Sequence, residues 1–135
     1  MIYADGSALS RALAPGVEAA SWLRFAAEHE SEIVTSPLGL TELRRAAALD
    51  GPVARAHAHR IAEEVRVVRF SDKALAEAAV MPAVLSPFQA LHLGVAVAEP
   101  DVDALATYDA LLARVAATYA VHVVTPGRQA TWWKA

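Results

Sequence analysis

Three carboxylates stand where they can do chemistry. Asp5 directly follows a short apolar run, Glu42 lies in a helical stretch, and Asp109 follows another apolar run. Carboxylates beside a core need partners. Three of them converging on one cleft repel one another unless a cation sits among them. All-oxygen ligands in a chain without cysteine suit Mg²⁺ or Mn²⁺ better than zinc. Such an ion brings metal-assisted phosphoryl transfer, binding a phosphate oxygen and activating water. Each acid also has a plainer role open to it. Asp5 and Asp109 can cap the helices that follow them, and Glu42, in mid-helix, can be a solvated surface acid. The coincidence of all three at one edge of a sheet favours a site.

The elements that must position them follow from pattern. Ile2–Asp5 reads as a buried strand, with Ser7 capping a helix over Ala8–Leu13. Pro15 opens a second helix, with Val17, Ala20, Leu23 and Ala27 spaced for one buried face. Glu32–Thr35 is a second strand, and Ser36-Pro37 starts a helix through Ala48. The turn Asp50-Gly51-Pro52 leads into a helix over Val53–Glu64 and a β-rich third strand, Val65–Phe70. Ser71-Asp72 caps a helix over Lys73–Met81, and Ser86-Pro87 caps one over Phe88–Ala98. Val102–Thr107, Leu111–Ala120 and Val121–Val124 read as strand, helix and strand. Short apolar strands separated by helices predict an α/β fold with a parallel sheet covered on both faces. In such folds ligands gather at the carboxyl ends of the strands, where these acids lie.

Length and charge bound the function. The 135 residues fit one domain over 1–135, with 127–135 as a C-terminal tail. At 56% hydrophobic and 20% charged, the chain can build a core and is not of disordered composition. A formal net charge of -3 argues against a non-specific nucleic-acid coat. The balance is uneven. Residues 44–73 carry seven cations against four anions, and the remainder five against eleven. The start lacks a basic region and a long apolar stretch, so no signal peptide is expected, and no run is long enough to span a bilayer. A reducing, cytoplasmic setting is the expectation.

At this point the chain resembles the PIN-domain family. IYADGSAL resembles the family's opening, a strand ending in Asp with a hydroxyl residue two positions later. Ser36–Leu43 (SPLGLTEL), Phe88–Ala96 (FQALHLGVA) and Leu105–Leu112 (LATYDALL) are similar to its second, third and fourth motifs, and VHVVTPG to its closing strand. The set runs in order along nearly the whole chain, and size and layout are similar to VapC-type toxins. The resemblance implies a three-layer α/β/α sandwich with a central, mainly parallel five-stranded sheet. It implies a Mg²⁺- or Mn²⁺-dependent endoribonuclease toxin, a VapB-type antitoxin that neutralises it, and a homodimer. Asp5, Glu42 and Asp109 would be catalytic and metal-binding, with Ser7 and Thr107 as supporting hydroxyls.

One position departs from the pattern. The third motif normally carries an acid where this chain has Gln89. The acid quartet becomes a triad, metal affinity should fall, and a second ion is harder to hold. Gln89 also completes an S-x-x-Q capping box with Ser86, so it can be a cap, a weak metal or water contact, or both. A degenerate, non-cleaving PIN domain that binds RNA or protein is therefore the alternative reading.

Other residues carry less. His57 and His59, two apart on a helix, face different sides and are expected to be solvated. His92 shares a face with Gln89 and is expected at the edge of the core. Arg44 and Arg45 either steer RNA phosphate beside the cleft or are surface arginines. Arg66 and Arg69 read as edge charges. Trp132 and Trp133 either pack back on the domain or meet a partner. Trp22, Leu23 and Ala26 either form a groove for an antitoxin helix or are core.

Overall fold

A computed structural model describes residues 1–135. Its five strands are β1 (Ile2–Ala4), β2 (Ile33–Thr35), β3 (Arg66–Val67), β4 (Ala104–Ala106) and β5 (His122–Val124). They form one sheet in the order β3-β2-β1-β4-β5, and every neighbouring pair is parallel. The helices are α1 (Gly6–Leu9), α2 (Val17–Glu28), α3 (Pro37–Ala48), α4 (Pro52–Glu64), α5 (Asp72–Ala79), α6 (Pro87–Ala98) and α7 (Ala110–Thr118). Two 3-10 turns, Ser10–Leu13 and Trp132–Lys134, complete the regular structure. No helix is long and apolar enough to cross a membrane.

The layers follow from the two-residue period of a strand. Ile2 and Ala4 of β1, with Ala104 and Ala106 of β4, enter a core that includes Leu9, Trp22, Leu43, Ala47 and Ala58. Tyr3 and Leu105, one position out of step, enter the other core with Leu93, Val95, Leu112 and Ala116. Helices α1–α4 therefore cover one face of the sheet and α5–α7 the other. β1, β2 and β4 are buried at every residue, as parallel strands covered on both faces must be. The expected α/β/α sandwich is the observed fold, with a sheet that is wholly parallel.

Local boundaries depart from expectation in several places. Asp5, not Ser7, caps α1: its carboxylate accepts from the Ala8 amide. α2 begins at Val17 behind Gly16, not at Pro15, and its buried residues are Ala19 and Trp22. The stripe expected to be buried there faces out, with Val17 80% and Leu23 46% exposed. The third strand shrinks from Val65–Phe70 to Arg66–Val67 because it lies at the sheet edge and pairs with β2 alone. Both of its residues are exposed, which suits an edge arginine at Arg66. In the C-terminal tail, 127–135, the first of the two expected alternatives is observed, with the tryptophans packed back on the domain. Trp133 is buried in the core beside α7, Trp132 packs against the same core, and the Trp133 carbonyl accepts from Arg114 at 3.0 Å.

Candidate functional site

The sheet order creates a crevice at one place. From β1 the chain runs outward to β2 and β3 on one side, while β4 and β5 lie on the other. Adjacent parallel strands whose connections diverge leave an opening at their carboxyl ends. Asp5 leaves β1 there, and its amide donates to the Ala106 carbonyl of β4 at 3.2 Å. Thr107 leaves β4 beside it. Glu42 comes from α3, Gln89 from the first turn of α6, and Asp109 from the cap of α7. Asp5, Ser7, Glu42, Gln89, His92 and Asp109 line one pocket of about 300 Å³.

Asp5 is 3% exposed. Its Oδ1 accepts from Ser7 Oγ at 2.6 Å and the Ala8 amide at 2.9 Å, and its Oδ2 from Thr107 Oγ1 at 2.6 Å. Burial pushes its carboxyl above the ordinary aspartate value, while these donors pull the other way. The two influences oppose each other, and a cation in the pocket would reinforce the donors. The hydroxyls of Ser7 and Thr107 thus both donate to the Asp5 carboxylate. Each also ties down the next strand exit: Ser7 Oγ accepts from the Tyr108 amide at 2.8 Å, and Thr107 Oγ1 from the Asp109 amide at 3.0 Å.

Glu42 is oriented from two directions. Its Oε1 accepts from the Gly6 amide at 3.1 Å and pairs with His92 Nε2 at 2.5 Å. Gly6 is required for this approach, since a Cβ there would lie 2.2 Å from Glu42 Cβ. Behind His92 runs a buried relay. The Gly39 amide donates to Ser36 Oγ at 3.2 Å, Ser36 Oγ lies 2.7 Å from Tyr3 Oη, and Tyr3 Oη 2.7 Å from His92 Nδ1. Burial holds the Tyr3 phenol far above its ordinary value, so it keeps its proton. An arrangement with Ser36 donating to Tyr3, Tyr3 to Nδ1 and Nε2 to Glu42 satisfies every polar atom of this relay. The sequence places His92 only at the edge of the core. It is in the core and also holds a site acid, a link across 50 residues that no local signal announces.

Asp109 caps α7 through Oδ1, which accepts from the Leu112 amide at 3.1 Å. Its Oδ2 accepts from Gln89 Nε2 at 2.8 Å. Gln89 completes the expected capping box with Ser86 and turns its N–H, not its oxygen, toward the acid.

The other candidates separate. Arg44 and Arg45 are both exposed, and neither lines the acid pocket. His59 is exposed beside Glu63, whereas His57 lines a second concavity of about 350 Å³ with Trp22, Leu23, Ala26, Arg60 and Ile61. Unannounced by pattern is a cluster beside Asp109. The guanidinium of Arg11 stacks 4.1 Å from the Tyr108 ring centroid, Arg128 lies 5.4 Å from the same ring, and both bond Glu18.

The donor chemistry of these residues fits a hard divalent ion. Three carboxylates line one pocket, and the most buried of them carries an unbalanced burial cost. They do not close on a single point, because protein donors already hold them, and no three acidic or histidine side chains form a finished cage. A model of the PIN domain family matches residues 2–129. No curated protein matches the chain.

Proposed function

The chain belongs to the PIN-domain family, whose members are generally metal-dependent nucleases, and from that premise we propose that it is a VapC-type endoribonuclease toxin hydrolysing RNA phosphodiester bonds. One observation carries the reading: Asp5, Glu42 and Asp109, from three separate elements, share one pocket at the β1/β4 crevice. A bound Mg²⁺ or Mn²⁺ supplies a Lewis acid for a phosphate oxygen and lowers the pKa of attacking water. Asp5, fixed by Ser7, Thr107 and the Ala8 amide, would hold that ion. Asp109 would be a further ligand, and Glu42, oriented by His92 and Gly6, would hold the ion or its water. Hydrolysis places the hydroxyl of water on phosphorus and its remaining proton on the oxygen released as the phosphorus–oxygen bond breaks. Phe88, 60% exposed at the same pocket, offers a face on which an RNA base stacks. Arg44 and Arg45, on the helix of Glu42, contribute long-range attraction for phosphate.

The same proposal extends to partners. The groove lined by Trp22, Leu23 and Ile61 has the apolar walls that a helix of a VapB-type antitoxin needs. A single domain over 1–135, a homodimer and a cytoplasmic setting complete it.

Gln89 favours a second reading, a PIN domain that binds RNA or protein without cutting. The experiment is cleavage of a mixed single-stranded RNA pool with Mg²⁺ or Mn²⁺, by wild type and Asp5→Asn. The toxin reading expects cutting by wild type and a loss of more than about 100-fold in the variant, beyond the cost of losing an outer-shell partner. Equal cutting by both sinks the site assignment. RNA binding without cutting by wild type establishes the second reading.

A further inference from the structure

We propose that Gln89 is an uncharged latch: its amide holds Asp109 in place of a cation, so the acid pocket stays assembled without metal and admits one divalent ion weakly. This rests on the reading of Asp109 as a site residue.

The orientation of the amide is forced. Gln89 Oε1 accepts from the Ser86 amide at 2.8 Å, and Ser86 Oγ accepts from the Gln89 amide at 3.2 Å. A backbone N–H needs an acceptor, so the oxygen end must face Ser86. The NH₂ end is left to donate to Asp109 Oδ2, 2.8 Å away. Gln89 therefore presents a donor to the pocket, and a donor cannot ligate a cation. Turning its oxygen inward would break the side-chain half of the α6 capping box and leave the Ser86 amide without its acceptor.

Asp109 is committed on both oxygens, to the Leu112 amide and to Gln89. An acid at position 89 would face Asp109 with like charge and would need a cation between them. Glutamine removes that need. It ties the start of α6 to the start of α7 and satisfies the Asp109 oxygen that an ion would otherwise take. An ion taking Asp109 Oδ2 as a ligand must displace the Gln89 amide. The pocket gains order in the metal-free state and loses affinity for the ion.

The informative variant is Gln89→Glu. It keeps side-chain length and one oxygen for the Ser86 amide, and it exchanges the inward N–H for an anionic oxygen. Gln89→Met removes the side-chain half of the capping box and the latch together, leaving the backbone bond to Ser86 Oγ. The full chain, without RNA, is titrated with Mn²⁺ by calorimetry and melted in chelator and in Mn²⁺. Wild type should bind one Mn²⁺ weakly, with a Tm that scarcely moves on adding the metal. Gln89→Glu should bind at least about tenfold more tightly, the scale of change at such outer-shell positions. It should melt below wild type in chelator and recover in Mn²⁺. Gln89→Met should melt lower in both conditions. If Gln89→Glu matches wild type in Mn²⁺ affinity, or if the two variants shift alike in both conditions, Gln89 is a cap alone and the latch is wrong.

Should Gln89→Glu fail to fold, wild type still decides. Slow exchange of the Gln89 side-chain amide protons by NMR, against the exposed Gln129 as reference, supports the latch, and equal exchange overturns it. The outcomes also separate the two proposals. Tight Mn²⁺ binding by Gln89→Glu with no RNA cleavage by wild type keeps the latch and loses the nuclease. Cleavage by wild type with an unchanged Gln89→Glu does the reverse.

Discussion

The acid pocket and the apolar groove are of similar volume, about 300 and 350 Å³, and are held together by different physics. In the pocket each acid is fixed by directional bonds from elements far apart in sequence: Thr107 and Ser7 on Asp5, His92 and Gly6 on Glu42, Gln89 on Asp109. In the groove the walls are the flanks of α2 and α4, and position is set by the packing of Trp22 beneath them. Directional bonds fix atoms to within a few tenths of an ångström, which chemistry on a phosphate requires. Packing fixes a shape and tolerates adjustment, which suits recognition of an apolar partner. On the proposed reading catalysis falls to the pocket and docking to the groove, and the contrast can be broken from either side.

The largest effect is expected from Trp22→Ala. Trp22 is buried under the groove, and such truncations cost about 3–5 kcal/mol. Denaturant unfolding should register that loss, with the folded fraction retaining its acid geometry. If Trp22→Ala is instead as stable as wild type, the groove is not built by packing and the comparison fails.

The two regions also differ in how far the sequence discloses them. Asp5 and Asp109 end apolar strands, a position that marks them by pattern alone, and both are also helix caps. Gln89 is legible as a capping residue because its partner Ser86 lies three positions away. What binds Glu42 is not legible. Its clamp comes from residue 92, and nothing local pairs the two. In the groove it is periodicity that misleads. α2 carries alanine on several sides, so Val17, Ala20, Leu23 and Ala27 fit a helical stripe as well as the true face of Ala19 and Trp22 does. The bulkiest side chain decides such ties, because it removes the most apolar area from water. Ser7 imitates a cap for a related reason: Asp5 and Ser7 both have capping chemistry, and Ser7 is drawn off by Asp5 and the Tyr108 amide.

The next effect in size is Gly6→Ala. The new Cβ would lie 2.5 Å from Glu42 Oε1 as well as against its Cβ. Overpacking of this kind costs about 1–3 kcal/mol. Because the atom displaced is a site carboxylate, RNA cleavage and Mn²⁺ binding should fall further than stability does. A loss of stability with unchanged Mn²⁺ affinity would mean that Glu42 is not part of the ion site.

Leu23→Glu should do the opposite. Leu23 is exposed on the groove wall, so unfolding free energy should stay within about 0.5 kcal/mol of wild type. If a short reading frame directly upstream encodes the proposed antitoxin, binding to its product should be lost in a pull-down with purified chains. Retained binding moves the partner site elsewhere.

The smallest effect tests whether the two regions are separate at all. Glu18 lies on the groove helix α2, yet it bonds Arg128 and Arg11, whose guanidinium groups flank Tyr108, the neighbour of Asp109. The hydrogen bond from Arg128 holds the Glu18 carboxyl below the ordinary glutamate value. A carboxyl depressed in the folded state contributes stability above its unfolded pKa and loses it as pH falls through the folded one. The Glu18 side chain is 31% exposed, so solvent screening limits the gain to about 1 kcal/mol or less. Glu18→Gln should therefore be slightly less stable than wild type at neutral pH, and the gap should close as the medium becomes acid enough to protonate Glu18. High salt should narrow it as well. Mn²⁺ affinity is the discriminating measurement. If it is unchanged in Glu18→Gln, the arginine–tyrosine cluster only fastens the C-terminal segment to α2, and pocket and groove act independently. If it falls, the groove helix positions Asp109 through Tyr108, and a partner seated in the groove would act on the acid pocket without touching it.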